Sequence, residues 1–330
     1  MTEMNTLISA FPSNITDALT IASNAVIRKP VNEIRNVLIC GMGGSGIGGR
    51  IVSKWVEDEL QVPVYVASDY DVPAFVNEHT LVIGSSYSGN TEETLSSVQA
   101  AVEKGAHLIG ITSGGKMQRL CEALGRDVVI VPGGNPPRTA LAFSLVQLLN
   151  IFSELGLTSP DRLIELEEGR KLVVSKETEI KSKAKELAAF LKGNVGILYG
   201  TTAYEPILVR ARQQLNENSK MLAWSQPIPE MNHNELVGWG GGDDRFATVF
   251  FETSDIHPRN RKRIEITKEA IQKKSSKIMT IVAEGNSQIE RSIHLINIVD
   301  WASLYLAEMT ETDPIEIVII DHLKSSLANF

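Results

Sequence analysis

Short runs of consecutive apolar residues, each closed by glycine or a polar turn, recur at 37–40, 64–67, 81–85, 108–112 and 128–131. Runs of this length that are apolar at every position, not at alternate ones, predict strands buried on both faces. Between them the apolar spacing takes a helical period at 47–60, 92–104 and 117–124, after an opening helix at about 16–27. Strands alternating with helices predict an α/β arrangement, a parallel sheet flanked by helices on both faces. The pattern then breaks. Residues 159–192 are dense in Glu and Lys without a strand signal, and predict one long solvated helix bridging two domains. Beyond it the rhythm restarts, with strands at 195–199, 246–252 and 277–283 and helices at 205–218, 260–274 and 300–309. A last helix is expected after Pro314. The expected division is a domain over residues 1–155, followed by the linker helix and a second domain over 156–330.

Composition narrows the partners. With 330 residues, 43% hydrophobic and 22% charged, each half has enough apolar material for its own core, which excludes a disordered chain. A net charge of −8 and a pI near 5.4 argue against nucleic acid, which needs a concentrated basic face. Two cysteines, Cys40 and Cys121, are too few for a disulfide scaffold or a cysteine metal cluster, and predict a reducing compartment. The first residues lack a basic segment leading into an apolar core, so no secretory signal is expected. The longest apolar stretch, 139–152, is interrupted by Ser144, Gln147 and Asn150 and is too short for a bilayer. These features predict a soluble, cytoplasmic protein with no membrane partner.

Candidate chemistry concentrates at two strand ends. Gly41-Met-Gly-Gly-Ser-Gly-Ile-Gly-Gly49 lies between a strand and a helix, where glycines allow close backbone approach and a helix start offers free N–H groups to an anion. The same segment contains Gly41-x-Gly43-x-x-Gly46, and with Asp69 after the next strand it imitates a dinucleotide fingerprint. A second turn, Ser85-Ser-Tyr-Ser-Gly-Asn-Thr-Glu92, follows the strand at 81–84. Ser86, Ser88 and Thr91 would place three hydroxyls around one phosphate; the bland alternative is an N-cap for the next helix, which needs only one of them. Two neighbouring Ser/Gly-rich turns fit a phosphate monoester at the carboxyl edge of a parallel sheet.

With these residues the chain resembles the sugar isomerase (SIS) domain family, whose phosphosugar loops read Ser-x-Ser-Gly-x-Thr. Gly133-Gly-Asn-Pro-Pro-Arg138, Asn216-Glu-Asn-Ser-Lys220, Pro229-Glu-Met-Asn-His-Asn-Glu235 and Asp300-Trp-Ala-Ser-Leu-Tyr-Leu-Ala307 resemble signatures of the bifunctional phosphoglucose/phosphomannose isomerases. The resemblance implies two SIS domains of flavodoxin-like, doubly wound type and a homodimer. It implies a glycolytic aldose–ketose isomerase that interconverts glucose 6-phosphate or mannose 6-phosphate with fructose 6-phosphate through a cis-enediol(ate), without a cofactor. Gly43, Gly44, Ser45, Ser86, Ser88 and Thr91 would hold the phosphate.

Such a reaction needs a carboxylate base, an acid/base for the ring oxygen and a fixed cation. Glu217 ends an amphipathic helix, where the negative dipole end favours its protonated form, and it matches the family's base. His233, in a polar, proline-bounded loop, matches the ring-opening histidine that the family supplies across the dimer interface. Its neighbours do not follow zinc-ligand spacing, so no metal is expected. Arg138, after two prolines, matches the cation that stabilises the enediolate, and Lys324 matches a terminal lysine that reaches the site. One departure concerns the epimer: family tails read Asp-Pro-Thr-Pro, whereas this chain has Asp313-Pro-Ile-Glu316. The Ile315 side chain cannot hydrogen-bond, so the mannose activity follows from the resemblance less directly than the glucose activity; Thr310 and Thr312 are the substitute hydroxyls at hand. Two other classes stay open, a non-catalytic SIS module that senses a sugar phosphate and a nicotinamide-dependent oxidoreductase.

Overall fold

The structure, a computed structural model, describes residues 3–327. The chain divides into two compact units, one of Ser9–Val174 with 285–290, the other of Ser175–Glu284 with 3–8 and 291–327. After a short helix α1 (Glu3–Ser9), the N-terminal unit runs α2 (Phe11–Asn24), β1 (Asn36–Cys40), α3 (Gly43–Trp55), β2 (Val64–Ala67), β3 (Thr80–Ser85), α4 (Glu92–Glu103), β4 (His107–Thr112), α5 (Gly115–Ala123), β5 (Asp127–Ile130), α6 (Leu141–Glu154) and α7 (Asp161–Ser175). Its five strands are all parallel in the order β2-β1-β3-β4-β5, the flavodoxin-like winding. Leu38, Val82 and Leu108 on adjacent strands are fully buried, each contributing about 1.5–3 kcal/mol by leaving water.

Helix α6 explains the interrupted apolar stretch. Twelve of its fourteen residues are buried, and its polar positions are spent internally. Gln147 Nε2 donates to the Ala18 carbonyl of α2 at 2.7 Å and Asn150 Nδ2 to that of Ala22 at 3.4 Å. Among the described residues no helix is long and apolar enough to cross a membrane.

The C-terminal unit continues with α8 (Glu177–Leu191), β6 (Val195–Thr201), α9 (Glu205–Ser219), β7 (Ala223–Ile228), a single turn α10 (Glu235–Gly238), β8 (Phe246–Glu252), α11 (Pro258–Gln272), β9 (Ile278–Val282), α12 (Gln288–Met309) and α13 (Val318–Leu327). Its four parallel strands are ordered β7-β6-β8-β9, the same winding one strand shorter. Ile197, Tyr199 and Phe250 centre its core.

Four elements differ from the sequence expectation, each for a physical reason. The expected helix over 159–192 is two, α7 and α8, parted at Lys176. Neither glycine nor proline stands at the break; α7 belongs to the N-terminal unit, later than the expected boundary at 155, because Arg162 pairs with Asp58 and Glu59. The charges there are a solvated face, as expected, in pairs such as Lys181–Glu177 and Lys183–Glu186. Helix α3 begins at Gly43, four residues before the expected start, so the glycine run is mostly helix. Helix α12 begins twelve residues early because Arg291, His294, Asn297 and Asp300, which masked its apolar period, are buried. Strand β7 was not anticipated: its residues are half-buried, and Pro227 is tolerated because β7 is an edge strand.

Candidate active site

In the N-terminal unit, parallel pairing sets Cys40 beside Gly84, so the loops leaving β1 and β3 emerge side by side. Met42, in extended conformation, precedes α3 without a side-chain cap bond, and Gly43 takes φ +50°. The Met42 carbonyl accepts from the N–H groups of Ser45 (3.0 Å) and Gly46 (3.1 Å); the first N–H groups of any helix have no intrahelical partner and carry its positive dipole end. The other glycines serve contact. A Cβ on Gly44 would stand 2.9 Å from the Pro137 carbonyl oxygen, one on Gly48 2.8 Å from Ser144 Cβ, and one on Gly49 2.9 Å from Ile39 Cγ2.

The second loop, 85–92, meets this start at Ser45, and its Ser86, Ser88 and Thr91 hydroxyls bond within the loop. Ser86 Oγ donates to Thr91 Oγ1 at 3.0 Å, Ser88 Oγ accepts from Asn90 N–H at 3.3 Å, and Ser45 Oγ accepts from Tyr87 N–H at 3.2 Å. Thr91 is the N-cap of α4, yet its side chain makes no cap bond, so the cluster is not spent on starting that helix. Asp69, the acidic residue of the dinucleotide-like pattern, is exposed just past β2, its carboxylate accepting from Tyr70 N–H at 2.8 Å.

Arg138 packs against the same helix start through its backbone. It lies in a 3-10 turn, Pro137–Thr139, directly over Gly44, and its side chain is buried. Two supports escaped sequence reasoning. Tyr87 ties three loops, its hydroxyl accepting from Asn135 N–H at 3.3 Å and its carbonyl from Ser113 N–H (2.9 Å) and Ser113 Oγ (2.7 Å); burial pushes its phenol above the ordinary value. The turn 112–115 after β4 braces the 85–92 loop: Gly89, at φ +68°, passes so close to the Gly114 carbonyl that no Cβ fits, and its own carbonyl accepts from Met117 N–H at 2.9 Å. A Ser-Gly-Gly turn at a third strand end was the available signal. Together the turns bring helix-start N–H groups and hydroxyls to one strand edge, donors of the kind an anion takes.

Glu217, His233 and Lys324 fall in the C-terminal unit, on three separate elements. Glu217 is half-buried in the last turn of α9. That helix is clamped to α12 by a buried polar seam. Arg210 Nη2 donates to both Asp300 carboxylate oxygens at 2.9 Å, Gln214 Nε2 to Oδ1 at 2.8 Å, and Asn218 Nδ2 to Ser303 Oγ at 2.9 Å. Burial pulls the Asp300 carboxyl upward, and Arg210 and Gln214 oppose it. His233 closes a 3-10 turn, Glu230–His233, and is exposed. Its segment is anchored by Asn232 Nδ2 to Thr267 Oγ1 (2.8 Å) and by Glu235, which accepts from Trp224 Nε1 at 2.9 Å and from the Tyr199 hydroxyl. Lys324 is exposed on α13, and the Thr310 hydroxyl is spent on the Leu306 carbonyl at 2.9 Å. At the strand ends equivalent to the Ser/Gly-rich turns, this unit holds a carboxylate of its own: Asp255 accepts from Arg291 Nη2 at 2.8 Å and from the Tyr204 hydroxyl at 2.9 Å. The Thr253 hydroxyl, which donates to Oδ1, and those contacts hold its carboxyl below the ordinary range against the opposing effect of burial.

Residues 31–124 match the SIS domain family, and residues 180–327 match the bacterial phospho-glucose isomerase C-terminal SIS domain. The chain is 40% identical to a bifunctional phosphoglucose/phosphomannose isomerase of Caldicellulosiruptor bescii over 96% of both chains. It is 36% identical to one of Aquifex aeolicus, covering 91% of this chain and 93% of that one. Its fold matches that of a tagatose-6-phosphate ketose/aldose isomerase from Escherichia coli with a TM-score of 0.71 and 14% identity, over 96% of each chain.

Proposed function

Because the chain belongs to the family of bifunctional phosphoglucose/phosphomannose isomerases, we propose that it interconverts glucose 6-phosphate or mannose 6-phosphate with fructose 6-phosphate through a cis-enediol(ate). The observation that supports the reading is the hydroxyl-rich second turn: Ser86 donates to Thr91, which is not spent on capping, and Tyr87 N–H of the same turn donates to Ser45 at the start of α3. In this reading the N–H groups of Gly43 and Gly44 join those hydroxyls on the phosphate dianion. Glu217 takes the proton from the carbon beside the carbonyl and returns it to the neighbouring carbon. The buried Arg138 guanidinium stabilises the enediolate oxygen, where low local dielectric strengthens its field. His233 and Lys324 exchange the ring-oxygen proton during opening; an exposed His233 is in keeping with its supply to the partner subunit of a homodimer. The reaction takes no cofactor and is assigned to glycolysis in the cytoplasm, in keeping with two free, buried cysteines.

The test is Glu217→Gln, which keeps the size of the side chain and removes its basicity. Fructose 6-phosphate binding should persist while turnover falls by about 10²–10⁴-fold, the usual worth of a positioned base. Turnover at the wild-type rate would refute the assignment.

A further inference from the structure

Helix α9 ends on Lys220, a non-glycine residue in the left-handed region at φ +50°. Few residues hold this conformation without compensation. Here the compensation is visible in the side chain, which folds back so that the ammonium donates to three backbone carbonyls. Lys220 Nζ lies 2.8 Å from the Glu217 carbonyl, 2.6 Å from that of Asp313 and 2.8 Å from that of Glu316. An ammonium has three donors, and each has an acceptor here. One carbonyl belongs to the helix turn that carries the proposed base. The other two belong to the turn between α12 and α13, which contains Ile315 and is braced by Asp313 and Glu316. Asp313 Oδ1 accepts from Ile315 N–H at 2.8 Å, and Glu316 Oε1 from Val318 N–H, the first residue of α13, at 2.6 Å.

We propose that Lys220 is a positioning residue that pins the turn bearing Glu217 to the 313–316 turn, so that the base and the root of the helix carrying Lys324 are held as one piece. This rests on the isomerase reading above. A cation is suited to the post: it neutralises the negative end of α9, where unpaired carbonyls gather, while bridging segments that share no other regular structure.

Three variants test it. Lys220→Met removes the ammonium and keeps the stem. Lys220→Gly removes it and accepts φ +50° without cost, so the fold survives even if the Met variant does not. Lys220→Arg keeps a cation with several donors. Amide hydrogen exchange over 313–317 reads the clamp directly, whether or not the isomerase assignment stands. It should speed at least roughly tenfold in the Met and Gly variants, with the strands of the unit unchanged. On fructose 6-phosphate, kcat should fall on the order of 10–100-fold with KM within about threefold, and Arg should recover part of the loss. Unchanged exchange over 313–317 overturns the clamp. Faster exchange with unchanged kcat, or a rise in KM alone, overturns the positioning role.

Discussion

Gly44→Ala tests whether the glycine run exists to bring Arg138 onto the helix start. The added methyl would sit 2.9 Å from the Pro137 carbonyl oxygen and 3.2 Å from its carbon. Ordinary contact begins about half an ångström farther out, so the turn must retreat by roughly 0.5 Å. It cannot do so by rotating a surface side chain, because the obstructing atoms are backbone and Arg138, Thr139 and Ala140 behind them are buried. Alanine's advantage over glycine in a helix, about 0.5–1 kcal/mol, partly offsets an overpacking cost of about 1–3 kcal/mol. The net stability loss should therefore be near 1 kcal/mol. The catalytic loss should be larger in proportion: misplacement by an ångström is worth about 10²-fold, so half that distance at Arg138 predicts roughly tenfold in kcat. Urea denaturation and steady-state kinetics on fructose 6-phosphate measure the two effects. Gly48→Ala is the control, since its methyl would crowd Ser144 Cβ at 2.8 Å on α6 and leave the Pro137 turn alone. It should lose comparable stability and keep its kcat. Equal kcat losses in both variants, or none in Gly44→Ala, would refute the reasoning.

Thr91→Val keeps the shape and removes the hydroxyl that accepts from Ser86; with no cap bond to lose, stability should change by less than about 0.5 kcal/mol while KM rises about tenfold. A stability loss near 1 kcal/mol at constant KM would instead identify a cap. Asp300→Asn leaves the Arg210 guanidinium buried without its counter-charge and should cost about 3–5 kcal/mol, read as a lower urea midpoint at unchanged slope. Burial pushes the thiol of Cys40 up to about 12 and that of Cys121 to about 11, so neither should react with a thiol reagent at pH 8 until the protein unfolds. Because the folded state holds these protons longer than the unfolded one, the pair should make stability fall as pH rises from about 9 towards 12.

Local pattern determined most strands of the two sheets, though not the half-buried edge strand β7. Strands covered on both faces must be apolar at every position, and β1, β3, β4 and β8 announce themselves that way. The two Ser/Gly-rich turns were equally legible as turns at strand ends, and the motifs carrying Glu217, His233 and Arg138 made the family legible along the chain. What stayed hidden depended on partners distant in sequence. Half of α12 was obscured because Arg291 and Asp300 look like surface residues until Asp255 and Arg210 are placed beside them. The break at Lys176 has no glycine or proline to mark it; it falls where the chain passes from one unit to the other. Tertiary structure also decided what the glycines of the 41–49 run do: Gly44, Gly48 and Gly49 are gaps cut for Pro137, Ser144 and Ile39, and within that run Gly43 is the one at positive φ. Lys220 is the limiting case, since nothing in its neighbourhood along the chain foretells carbonyls about ninety residues away, and only folding brings them within reach of one ammonium.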